Sequence, residues 1–133
     1  MIVFDNELIR IINLIENLAN VDVKDTIIFD NVIYVVVGKN QREKILPLLG
    51  IIKKILNKDI KILEYSPNIY EFIKELIPFV NFVRIKNFNG SQTIEIGINK
   101  VYRGLVYGRN KRKLLFYKTL LNRIYKIKDI KIV

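Results

Sequence analysis

The 133-residue sequence predicts an α+β fold made of two successive units, each running helix, strand, strand, helix, helix, strand. Three observations carry this reading. A helical stripe of apolar residues precedes a hairpin signal twice, at Asp30-Asn31 and at Asn89-Gly90. Each hairpin is followed by two helical patterns separated by a turn, and each half closes on a β-rich run.

Leu8, Ile11, Ile12, Ile15 and Leu18 recur at helical spacing, which predicts a helix over about Asp5 to Ala19 with Asp5 as its N-cap. Thr26 to Phe29 and Val32 to Val37 are strands around Asp30-Asn31, two residues that tolerate φ > 0. Arg42 to Leu46 is a short helix stopped at Pro47, Gly50 precedes a second over Ile51 to Leu56, and Asp59 to Tyr65 is a strand. Ser66-Pro67-Asn68 then starts a new helix, with Glu71 completing a capping box and Ile69, Phe72, Ile73 and Leu76 as its apolar stripe. Pro78 ends it. Phe82 to Lys86 and Gln92 to Ile98 flank Asn89-Gly90, the strongest hairpin dipeptide in the chain. A short helix near Val101 to Tyr107, a turn at Gly108 to Lys111, a longer helix to about Tyr125 and a strand over Ile127 to Val133 complete the second unit. The boundary falls between 66 and 67. A unit of about 66 residues is marginal alone, so the two are expected to pack as a rigid pair.

Composition excludes much chemistry. With no Cys and no His, the chain lacks thiolate nucleophiles, the usual general base and the commonest metal ligands. The carboxylates form no catalytic constellation: Asp22, Asp25 and Asp30 surround a hairpin, where Asp serves turn chemistry. No enzyme activity, cofactor, metal or small-molecule substrate is expected. No uncharged stretch exceeds eight residues, so neither a membrane span nor a signal peptide is expected and the protein is placed in the cytoplasm.

Charge divides unevenly. Residues 1–68 hold nine basic and nine acidic residues, whereas residues 69–133 hold fourteen and four, so the whole net charge of +10 lies in the second half. Such a cationic surface attracts a polyanion, most often nucleic acid. Arg109, Lys111, Arg112 and Lys113 cluster where a helix begins, and cations there oppose the helix dipole unless an anion is bound. Lys100 and Arg103 precede the short helix and flank the same region, while Lys118, Arg123, Lys126, Lys128 and Lys131 read as a general basic field. Phe72, Phe82, Phe116 and Tyr117 sit in apolar stripes and are expected in the core; Tyr107, next to Gly108, either borders a groove or packs inward.

The repeated order, with Arg103-Gly104-Leu105-Val106-Tyr107-Gly108-Arg109-Asn110-Lys111 before the longer helix, resembles tandem type II KH domains of the archaeal NusA family over essentially the whole chain. That resemblance implies a cytoplasmic, non-enzymatic factor of transcription elongation or termination. The implied partners are single-stranded RNA and RNA polymerase or another transcription or ribosomal component. In that family a Gly-x-x-Gly turn lets backbone N–H groups approach phosphates. Here the turn is Gly108-Arg109-Asn110-Lys111, with Lys in place of the second glycine, so the implied RNA-binding set is Lys100, Arg103, Gly104, Tyr107, Gly108, Arg109, Asn110, Lys111, Arg112 and Lys113. In the first unit two placements are open. Pro47-Leu48-Leu49-Gly50 carries no phosphate-seeking group; Gly38-Lys39-Asn40-Gln41 is more polar but would bury Pro47 inside the next helix. The former is preferred, which makes the first unit structural. Leu48 and Leu49 then pack onto the second unit or form a small protein-contact patch, and a rival reading makes the whole protein an interaction scaffold without RNA binding.

Overall fold

The computed structural model describes residues 6–133, and the chain divides into two compact units at Pro67/Asn68. The expected N-cap, Asp5, lies outside the described residues. Each unit is a three-stranded sheet with helices, an α+β arrangement.

In the first unit α1 (Asn6–Ala19) leads into β1 (Val23–Phe29) and β2 (Val32–Val37). Asp30 and Asn31 turn the hairpin with φ of 48° and 63°, both left-handed, as a two-residue turn matched to strand twist requires. The crossover then runs through α2 (Arg42–Ile45), a 3-10 turn (Leu46–Leu48) and α3 (Leu49–Leu56) to β3 (Asp59–Glu64). β1 pairs antiparallel and β3 parallel with the central β2. The core sits between the helices and one sheet face: Ile11 and Ile15 from α1, Ile33, Val35 and Val37 from β2, Ile45 from α2 and Ile52 from α3. The alternation of β2 selects Ile33, Val35 and Val37 for that face.

The second unit repeats this order with α4 (Ile69–Leu76), β4 (Val80–Phe88), β5 (Ser91–Ile98), a 3-10 turn (Lys100–Tyr102), α5 (Arg103–Tyr107), a 3-10 turn (Arg109–Lys111), α6 (Arg112–Tyr125) and β6 (Asp129–Ile132). Its strand order is β4-β5-β6, again with one antiparallel and one parallel pair. Asn68 caps α4 by accepting from the Tyr70 N–H at 3.1 Å. The helix stops one residue before the dipeptide Ile77-Pro78, where Ile77 is pushed to extended geometry (φ −111°, ψ 122°), as the residue ahead of a proline prefers. Asn89 and Gly90 turn the hairpin at φ 50° and 80°.

Phe72, Phe116 and Tyr117 are buried as expected, but Phe82 is not. It stands on the other face of the sheet, across from Gly97, and a Cβ on Gly97 would lie 2.2 Å from its ring. The period-2 pattern of β4 instead directs Val83 and Ile85 to the face shared with Ile96 and Ile94. A glycine opposite gives the Phe82 ring a flat seat, and the Arg84 guanidinium lies 4.7 Å from the ring centre.

Candidate nucleic-acid interface

The junction between α5 and α6 is built from backbone that few residues adopt. Gly108 has φ 71° and ψ 177°, a region open only to glycine, and an added Cβ would meet Lys113 Cγ at 2.7 Å. Asn110 (φ 54°, ψ 30°) and Lys111 (φ 59°, ψ 24°) are both left-handed. Asn tolerates that conformation; Lys at this position costs on the order of 1 kcal/mol. Through these four residues the chain passes from α5 into a fourteen-residue helix whose N-cap, Lys111, gives no side-chain hydrogen bond to the first helical amides.

Cations surround those amides. Arg109, Lys111, Arg112 and Lys113 are exposed, and among the described residues Arg109, Lys111 and Lys113 pair with no carboxylate. Lys111 Nζ rests 5.7 Å from the centre of the half-buried Tyr107 ring, so Tyr107 borders the turn and steers an ammonium over it. An uncapped helix N-terminus next to unpaired cations is an arrangement that an anion stabilises.

The remaining expected residues are spread along α5. Arg103 spends its Nε–H on the Ile98 carbonyl at 3.0 Å, bracing the exit of β5. Lys100 is exposed in the 3-10 turn that Asn99 caps through the Val101 N–H at 3.1 Å. Gly104 is exposed, with nothing near the place where a Cβ would stand. Lys126 and Lys128 lie past the far end of α6, about 20 Å from the turn at 1.5 Å per residue, so the basic tail is two clusters and not one. Lys118 belongs with neither: it binds Asp129 at 3.0 Å and holds that carboxyl below its ordinary range.

The first unit places its helix break at Leu46–Leu48. Leu46 (φ −50°), Leu48 (φ −101°) and Leu49 (φ −60°) are all right-handed, Pro47 sits at the start of the 3-10 turn where its missing N–H costs nothing, and α3 has only eight residues. Leu48 and Leu49 pack against the first unit's own core. Gly38 to Gln41 lies ahead of α2, the topological place of Asn99 to Tyr102, and is already satisfied: the Asn40 N–H donates to Glu64 Oε1 at 2.6 Å and Gln41 Oε1 accepts from the Asp22 N–H at 2.7 Å. Glu64 also faces Arg42 at 4.0 Å. A carboxylate of the chain itself therefore already takes the Asn40 amide.

Sequence reasoning missed one pair. Phe79 and Tyr102 stack with ring centres 4.1 Å apart and planes 5° from parallel, and both are exposed. They are 23 residues apart in sequence, and no periodicity links them.

Among the described residues no group of three or more potential metal ligands comes together, and no helix is long and apolar enough to cross a membrane. No protein-family model matches the chain. The chain is 22% identical to the probable transcription termination protein NusA of Thermoplasma acidophilum, over 98% of this chain and 95% of that protein. Its fold is shared by the crystal structure of APE1850, with a TM-score of 0.74, 17% identity, and coverage of 98% of this chain and 100% of the other.

Proposed function

We propose that this chain is a non-enzymatic, cytoplasmic RNA-binding factor of the transcription apparatus, built from two KH-like units, that takes single-stranded RNA at the Gly108–Lys113 junction. The observation that carries the reading is the junction itself: a glycine-only backbone, an uncapped fourteen-residue helix, and cations without carboxylate partners in one place. The likeness to a protein named for transcription termination supports the transcription part of it. A role in elongation or termination, with RNA polymerase or a ribosomal component as protein partner, extends that likeness.

The mechanism is phosphate capture. Backbone amides at the start of α6 and the Arg109 and Lys111 side chains hold a sugar–phosphate segment, and counterion release supplies most of the affinity. Binding is weak, tolerant of sequence and salt-sensitive, with a log–log slope near −0.7 per phosphate contact on single strands. The test is single-stranded RNA affinity at two salt concentrations for the wild type and for Arg109→Ala combined with Lys111→Ala. The expected result is a large loss of affinity with a slope shallower by about 1.4, for two contacts at about 0.7 each. Equal affinity in the two proteins would discard the RNA site.

A scaffold role has its own supporting observation. Leu46, Ile51 and Ile55 are exposed around the first unit's helix break, an apolar ridge suited to a protein contact. Retention of a protein partner by a chain that binds no RNA would favour this reading.

A further inference from the structure

The Phe79–Tyr102 pair is not explained by packing. Phe79 is 47% exposed and Tyr102 38% exposed, so two stacked rings leave much of their area open to solvent. Phe79 also carries φ 66°, a conformation that a bulky residue rarely adopts and that marks a constrained site. It follows Pro78 in the turn just before β4, where a glycine or asparagine would sit without strain. The strained backbone holds one large ring flat on another at the surface.

A path joins this pair to the junction. Between the pair and Gly108, Val101 in the 3-10 turn and Gly104 and Leu105 in the five-residue α5 are exposed. The two glycines keep the path low, and Lys100 stands exposed at its aromatic end. From Tyr102 to Gly108 is about 9 Å along α5 at 1.5 Å per residue.

The geometry points to the Phe79–Tyr102 stack as a platform for an unpaired base of the same strand whose phosphates are held at Gly108–Lys113. This rests on the RNA-binding reading and adds to it that the ligand must offer at least one unstacked base. Aromatic platforms accept any base, because every base has a π-face. The exposed Lys100 at the aromatic end matches a nucleic acid better than an apolar protein segment, which would leave it without a partner.

The experiment uses short single-stranded RNA with one 2-aminopurine, whose fluorescence is quenched on stacking, and a matched set in which each nucleotide in turn is abasic. The proteins are the wild type, Phe79→Asn, and Arg109→Ala with Lys111→Ala. Asn tolerates the left-handed backbone at position 79, so the variant is expected to fold, which circular dichroism and a urea midpoint check. The expected result is a quench with the wild type that Phe79→Asn loses, with affinity down about tenfold, within the range of one lost stacking contact. The salt slope should stay unchanged, since no phosphate contact is removed. One abasic position should weaken the wild type by the same factor and leave Phe79→Asn unaffected. The Arg109/Lys111 double variant should instead lose salt slope.

If the wild type binds RNA but Phe79→Asn binds and quenches equally well, the platform is wrong and the junction site stands. Should no abasic position matter to the wild type, the platform is wrong whatever the variants do. Absence of RNA binding by the wild type overturns both.

Discussion

The two helix–helix junctions occupy the same place in the same topology and are built from opposite materials. In the second unit the chain turns through Gly108, Asn110 and Lys111 at positive φ and emerges into fourteen residues of helix. In the first it passes through Leu46, Pro47 and Leu48 without leaving right-handed space and emerges into eight. The strained turn shows exposed cations, whereas the continuous one shows apolar side chains. The architecture tolerates either, so the chemistry presented there is set by the junction and not by the unit.

That contrast can be broken most directly at the glycines. Gly108→Ala is expected to cost about 1–3 kcal/mol of stability, because alanine must be strained at φ 71° and its Cβ meets Lys113. Urea unfolding would measure it, and an unchanged midpoint would mean that the turn is not held as described. Lys111→Gly should do the reverse, stabilising by about 1 kcal/mol by relieving a left-handed lysine while weakening RNA affinity through the lost charge. In the first unit Gly50 lies near the start of α3 with no neighbour where a Cβ would stand, so Gly50→Ala should stabilise by about 0.5–1 kcal/mol. Opposite signs for Gly50→Ala and Gly108→Ala would establish the comparison in one experiment. The smallest effect concerns acid. Asp129 titrates below its ordinary range, first because it accepts a hydrogen bond from Lys118, so its contribution is present at neutral pH and lost as pH falls through the lowered value. Lys118→Ala should flatten the acid limb of a stability–pH curve only slightly, since the pair is largely exposed and solvent screens it.

Much of this was readable in the sequence where one residue type controls one local geometry. Asp30-Asn31 and Asn89-Gly90 turn the hairpins because those residues accept left-handed backbone, and Asn68 caps α4 with its own side chain. Ile69, Phe72, Ile73 and Leu76 face the core because helical spacing leaves them no other face. What could not be read depended on partners distant in the chain. Phe82 alternates correctly with its neighbours, yet whether its face is core or solvent depends on Gly97 across the hairpin and on where the helices lie. The Phe79–Tyr102 stack needs both ends of the β4–β5 pair to meet. Of the candidate site, the contiguous segment Gly108 to Lys113 was legible as a cluster, whereas the diversion of Arg103 to the Ile98 carbonyl was not.

Glu64 carries a consequence for how such a protein could change. Parallel registration of β3 against β2 sets Glu64 opposite Val37, and from there its carboxylate reaches the Asn40 amide. The first unit thus satisfies, with a carboxylate of its own, an amide in the loop that corresponds to Asn99–Tyr102 of the second. Replacing that one side chain by a neutral, shorter one would release the Asn40 amide and remove the Arg42 ion pair together, so a single carboxylate ties this loop to the end of the sheet.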